Sequence, residues 1–170
     1  MPTLRPSEIT SIFKPLALQI LQGHLFPHAV YTRSRADRME FDADGKKIIA
    51  RLRDYTHWQR VEFRGQFTFR TGGGDNELHK IIDLRDGDYL LYGFRNSNDT
   101  KIHAWAIGNL DLFRTWHNQQ RGLPGTEWPN FRAFAWKKMP QGFLVACDDR
   151  LRKYAERPVN RNDLFIRAST

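Results

Sequence analysis

The sequence predicts a mixed α/β fold, with a central mixed β-sheet flanked by helices and a C-terminal extension. Three observations predict it. Segments such as KIIARLR (47–53) and RVEFRGQFTFR (60–70) alternate with period two, as half-buried strands do. Segments 6–23 and 110–120 instead carry a helical period with stop signals at Gly23 and Gly122. Finally, the order is helix, three strands, helix, two strands, helix, and strands joined through helices fit parallel crossovers. At 170 residues the chain has the length of a single domain. We place the core in residues 1–125, with residues 126–170 an extension packed on the core or trailing from it.

In chain order, PSEITSIFKPLALQILQG reads as a helix with Ser7 as candidate N-cap, and Pro15 either kinks it or opens a second helix. HAVYTRS and ADRMEF are short extended pieces, and DADGK is a hairpin turn with Gly45 taking a positive φ. In KIIARLR, Ile48, Ala50 and Leu52 point to one face, and Ile49, Arg51 and Arg53 to the other. RVEFRGQFTFR is expected to bury Val61, Phe63, Phe67 and Phe69 and to present Glu62, Arg64, Gln66, Thr68 and Arg70 on the opposite face. TGGGDNELHKIIDL is a glycine loop entering a short helix capped by Asp75 or Asn76. DYLLYGF and KIHAWAI form two strands joined by RNSND, and LDLFRTWHNQQ a helix. GLPGTEWPN is a loop, and FRAFAW and GFLVAC are a final pair of short strands. Trp105, Phe113 and Trp116 are core candidates. Trp58, beside His57 and Tyr55, fits either core packing or stacking on an unpaired base.

Charge narrows the function classes. Net charge is +8, with 10 Lys/Arg against 6 Asp/Glu in residues 31–70 and 9 against 4 in residues 131–170. Residues 71–130 are slightly acidic, at 6 against 8. Basic faces of this kind neutralise phosphates, so nucleic acid is the expected partner. No stretch reaches the roughly 18 apolar residues of a membrane span. The opening MPTLRPSEITSIFKPLALQIL lacks signal-peptide features, since Pro15 interrupts its apolar part. The single Cys147 forms no internal disulfide, so a cytoplasmic setting is expected. His24 and His28 are four apart, but Gly23 and Pro27 argue against the helix that would make them zinc ligands.

The element order, together with ADRMEFDADGKKIIARLR and DGDYLLYGFRNSNDTKIHAWAIGNLDLFRTW, resembles the restriction endonuclease-like fold of the PD-(D/E)XK nuclease superfamily over residues 7–120. The resemblance implies an Asp near the start of one strand and an acid-x-Lys on the next, holding Mg²⁺ against the scissile phosphate. Two placements follow from it. In the first, the leading carboxylate is Asp37 and the acid-x-Lys positions hold Arg51 and Arg53, which repel a cation. In the second, Asp54 leads and Glu62 with Arg64 supply the acid-spacer-base pattern, with Arg replacing Lys. Asp37, Asp54 and Glu62 are thus the candidate metal ligands, Mg²⁺ the implied cofactor, and Glu40, Asp42 and Asp44 further carboxylates. Lys46, Lys47, Arg51, Arg53, Arg64 and Arg70 are candidate nucleic-acid contacts. Arg51 or Arg53 beside Glu62 on neighbouring strands would instead form a cross-strand ion pair. TGGGDNE lacks the Lys-Ser/Thr of a phosphate-binding loop, and Asp75 and Glu77 would repel phosphate, which favours a plain turn.

Three function classes remain. The first is a nucleic-acid-interacting, DNA-binding accessory protein on a nuclease-like scaffold with a degenerate catalytic site, of a kind the resemblance associates with phage and mobile elements. The second is a Mg²⁺-dependent DNA endonuclease. The third is an inhibitor or adaptor whose arginine face meets an acidic protein.

Overall fold

The computed structural model describes residues 3–35 and 38–156. Helix α1 (Pro6–His24) buries Phe13, Ala17 and Leu21, spaced by four so that they form one stripe. Ser7 lies inside the first turn and not at the cap; there the Glu8 carboxylate accepts the Arg5 backbone N–H at 2.6 Å. Pro15 sits within the helix on its exposed side, where solvent can serve the carbonyl that its missing N–H leaves without a bond.

Strands β1 (Val30–Arg35), β2 (Arg38–Ala43) and β3 (Lys46–Arg53) form an antiparallel meander. Asp44 and Gly45, at φ 53° and 81°, make the two-residue turn between β2 and β3. The chain then passes through helices α2 (Tyr55–Gln59) and α3 (Val61–Arg64), strand β4 (Gln66–Arg70) and helix α4 (Glu77–Ile82). It returns as β5 (Tyr89–Arg95), parallel to β3, and β6 (Ile102–Asn109), antiparallel to β5. Helix α5 (Leu110–Gln119) is capped by Asn109, whose side chain accepts from the Asp111 and Leu112 N–H groups. Strands β7 (Thr126–Trp128) and β8 (Phe131–Ala135), then β9 (Leu144–Cys147) and helix α6 (Asp149–Ala155), complete the described chain.

The fold is therefore mixed α/β. A six-stranded mixed sheet runs β1-β2-β3-β5-β6-β9, and a second sheet runs β4-β8-β7. Residue alternation assigns the two faces. Ile48, Ala50 and Leu52 of β3, with Leu91, Trp105 and Ile107, meet the α1 stripe. Ile49, Leu90, Tyr92, Phe94 and Ala106 face the other core, made with Phe67 and Phe69 of β4, Phe113 of α5, Phe134 of β8 and Leu151 of α6. Trp105 and Phe113 are buried, and Trp116 is half-buried against the same core. Residues 126–156 are built into this second core, and residues 157–170 lie outside the described residues. Among the described residues, no helix is long and apolar enough to cross a membrane.

Three expectations are corrected. RVEFRGQFTFR is not one strand, because residues 61–64 are a helical turn and extended chain begins only at Gln66. Val61 is 62 % exposed, while Phe63 stays buried. A Phe63–Phe67 spacing of four satisfies a helical period as well as a strand's, so alternation alone misread it. FRAFAW and GFLVAC are both extended, but they do not pair: β8 joins β4, and β9 joins β6. The expected loop GLPGTEWPN contains the short strand β7.

Candidate functional site

The face of β3 that carries Ile49 ends in buried Arg51 and half-buried Arg53. In register, Arg51 lies beside Arg38 of β2 and Tyr92 of β5. Arg51 and Glu77 are each only 2 % exposed. Glu77 is the first residue of α4, behind the Asn76 cap that accepts the His79 N–H at 2.9 Å. Its carboxylate accepts from the Arg51 guanidinium and from the Arg70 backbone N–H at 3.2 Å, and lies 3.6 Å from Arg38 Nη1. The cross-strand partner expected for Arg51, Glu62, is replaced by a residue 26 positions away.

Behind Arg51 the charges continue to alternate. Glu40, 2 % exposed, accepts from Arg33 and Arg38 and lies 3.4 Å from Lys47 Nζ. Asp86 accepts from Arg38 at 3.0 Å and Lys47 at 2.6 Å. Burial alone would raise the Glu40 carboxyl, but the Arg33 and Arg38 hydrogen bonds outweigh it and hold it below its ordinary range. Burial acts the same way on Asp86, and Lys47 and Arg38 likewise lower it. Of the two hairpin lysines, Lys47 is therefore tied into this network and Lys46 is exposed.

Arg53 is held from the other side. Its Nη2 is 2.6 Å from His57 Nε2, and His57 Nδ1 is 2.8 Å from Asp54 Oδ1. A guanidinium only donates, so its partner assigns Nε2 as acceptor and Nδ1–H as the donor to Asp54. Asp54 also accepts from the Thr56 hydroxyl and caps α2 through the His57 N–H. The hydrogen bond from His57 leads the causes that keep its carboxyl far below the usual range, against burial. The Arg53 guanidinium sits 5.6 Å from the ring centre of Phe131, which stacks on Trp128.

These side chains open onto a recess of about 350 Å³, lined by Arg51, Arg53, Arg70, Gly72, Gly73, Pro129, Asn130 and Phe131. Three elements converge to make it. Arg70 at the end of β4 pairs with Phe131 at the start of β8, and the Thr71 N–H donates to the Asn130 carbonyl at 3.0 Å. A Cβ on Gly72 would come 2.9 Å from Asn130 Oδ1, so glycine lets Asn130 approach this closely. Among the described lining residues there are three arginines and no carboxylate. Asp75 is paired with Lys80 at 2.5 Å, and Glu77 with arginines. Asn130 and Phe131 had no signal in the sequence, because only the β4–β8 pairing brings them to β3.

The other candidates are dispersed. Glu62 is about half exposed and pairs with Arg60 at 2.7 Å. Arg64 donates to the Trp58 carbonyl at 2.6 Å and to the Tyr154 hydroxyl at 3.0 Å, with its guanidinium 5.0 Å from the Trp58 ring centre. On a strand, residues two apart share a face; on a helical turn they point about 200° apart, so the Glu62–Arg64 pattern loses its common face. Trp58 is 7 % exposed among Phe94, His103 and Tyr154, which makes it core and not a stacking platform. His24 packs at a tilt against Trp105 and His28 reaches Asp44. Asp37 lies outside the described residues. Among the described residues, no three His, Cys, Asp or Glu side chains are grouped to hold a metal ion. At Arg51 and Arg53 the donor set does not fit Mg²⁺, because guanidiniums offer no lone pair and carry the cation's own sign. Comparisons with family models, with curated proteins and with solved structures give no match.

Proposed function

We propose that the protein binds nucleic acid, DNA in the first instance, through the arginine-lined recess and the basic surface around it. On this reading the scaffold is a restriction endonuclease-like one with a degenerate catalytic face. The observation that carries the binding reading is the recess itself, whose lining brings Arg51, Arg53 and Arg70 together with Asn130 and Phe131. The support for the scaffold is the succession of a helix, a three-stranded meander, a helical crossover and a strand parallel to the third. On such a scaffold Arg51 and Arg53 occupy the acid-x-Lys positions and serve phosphate where a metal would otherwise sit.

The test uses labelled plasmid and linear DNA with Mg²⁺ or EDTA. Binding that weakens steeply with salt, at an affinity independent of EDTA and with the DNA intact, is the expected result. Arg53→Gln with Arg70→Gln should weaken binding about ten- to a hundredfold. Absence of binding at low salt overturns the proposal, and Mg²⁺-dependent cleavage overturns its degenerate-site half.

A further inference from the structure

We propose that a pocket between α5 and the β4–β8 pair holds an unpaired base of a single-stranded nucleic acid. This rests on the nucleic-acid reading above. The pocket measures about 300 Å³ and shares no lining residue with the arginine-lined recess. Its space follows from the sequence of β8. Ala133 stands beside Thr126 of β7, and Ala135 beside Gln66 of β4, so small side chains leave room that larger ones would fill. Trp116 of α5 and Phe134 supply aromatic walls. Gln120, Thr126 and Lys138 are exposed at its edge, so the mouth stays open to a backbone that runs on past the base.

The walls are fixed before a ligand arrives. Gly125, at φ 87°, brings the chain so near β8 that a Cβ there would lie 2.7 Å from the Ala133 carbonyl oxygen and 2.8 Å from the Phe134 ring. Arg132 donates to the Pro124 carbonyl at 3.1 Å and holds that stretch in place. The Trp116 ring packs on Phe113 at 6.1 Å and 28°, and edge to face on Phe134 at 6.4 Å. It stays half-buried, which leaves part of an indole for a flat ring to stack on. Polar chemistry narrows the ligand class. Gln66 Oε1 is buried and, among the described residues, accepts no hydrogen bond. The last torsion of a glutamine is broad, so this oxygen can turn to a donor inside the pocket. An orphan acceptor beside an aromatic wall suits a planar ring that carries N–H groups, as nucleobases do. Among the described lining residues Lys138 is the only charged one, and it suits the phosphate that accompanies such a base.

Fluorescence anisotropy on the wild-type protein compares a single-stranded oligodeoxynucleotide with an abasic strand of equal length. The two carry the same phosphates, so only the strand with bases gains from the pocket. It should bind about tenfold or more tighter. Trp116→Leu removes the stacking surface and Ala135→Leu fills the space, so each should abolish most of that difference. A difference that persists in either folded variant puts the base elsewhere and overturns the pocket. Trp116→Phe keeps an aromatic wall and reports even where the larger changes do not fold. Single-strand binding should quench the tryptophan fluorescence of the wild type and much less that of Trp116→Phe; equal quenching overturns the assignment. Gln66→Met should weaken the single strand severalfold without lowering the melting temperature, because it removes a buried acceptor that has no partner. Equal affinity for the two strands overturns the inference while leaving nucleic-acid binding standing. Binding of neither overturns both readings. Deoxynucleoside monophosphates that compete as well as the single strand would make the ligand a free nucleotide and overturn strand recognition.

Discussion

Glu77 touches three parts of the site at once: the Arg51 guanidinium, the Arg70 backbone and the flank of Arg38. A buried ion pair need not stabilise a fold relative to an apolar pair, but removing one partner leaves the other charge stranded. Glu77→Gln keeps the shape and removes the charge, so it should cost about 3–5 kcal/mol in urea-induced unfolding. A loss below about 1 kcal/mol would show that Arg51 is served by its other contacts. The same network sets the acid response. The folded-state carboxyls of Glu40 and Asp86 lie below their ordinary values of 4.5 and 3.8, so the folded state binds fewer protons than the unfolded chain. Their stabilisation is complete above those values and is lost as pH falls through the lower folded-state ones. Melting temperatures should therefore hold between neutral pH and about pH 5 and fall below about pH 4.5, and Glu40→Gln should flatten that fall.

Strand β6 shows how closely one element is fitted to the next. A Cβ at Gly108 would lie 2.6 Å from the ring of Phe143, which is fully buried and has no room to retreat. Gly108→Ala should therefore destabilise by about 1–3 kcal/mol, through overpacking and not through backbone conformation. A thermal melt equal to wild type would mean that the β9 side of the core yields. The element that departs most from its sequence signal is α3. The preceding turn is set by Asp54 capping α2, and the chain from Arg60 to Gly65 is then closed by Arg64 folding back on Trp58 and Tyr154. Those tertiary contacts favour a helical turn over the strand that local alternation suggests.

Across the whole molecule, one apolar core joins Phe67, Phe113, Phe134, Trp136, Phe143 and Leu151, on both sides of residue 125. A chain ending at residue 125 would leave β4 without its partner β8 and β6 without β9. Such a truncated chain should show no cooperative melt by circular dichroism; a sharp transition would establish residues 1–125 as self-sufficient. Net charge acts at this scale too. With +8 overall, affinity for DNA should fall linearly on a log–log salt plot, with a slope of roughly −0.7 to −0.9 per phosphate neutralised. Arg53→Gln should reduce that slope by roughly one if Arg53 meets phosphate, and leave it unchanged if it does not.

Local periodicity and turn chemistry account for part of this structure. The Asp44–Gly45 hairpin, the two faces of β3, a cap for α4 at Asp75 or Asn76 and the strands around RNSND all follow from neighbours within a few residues. The sequence also shows that guanidiniums, and not carboxylates, end the β3 face. What those guanidiniums meet depends on elements distant in the chain. Arg51 finds Glu77, Arg53 finds His57 and Phe131, and Arg70 finds the Asn130 turn through strand pairing. Arg64 and Glu62 leave the site for the same reason. A charged side chain carries no periodic signature of its partner, since that partner is selected by burial and by which distant element closes over the strand.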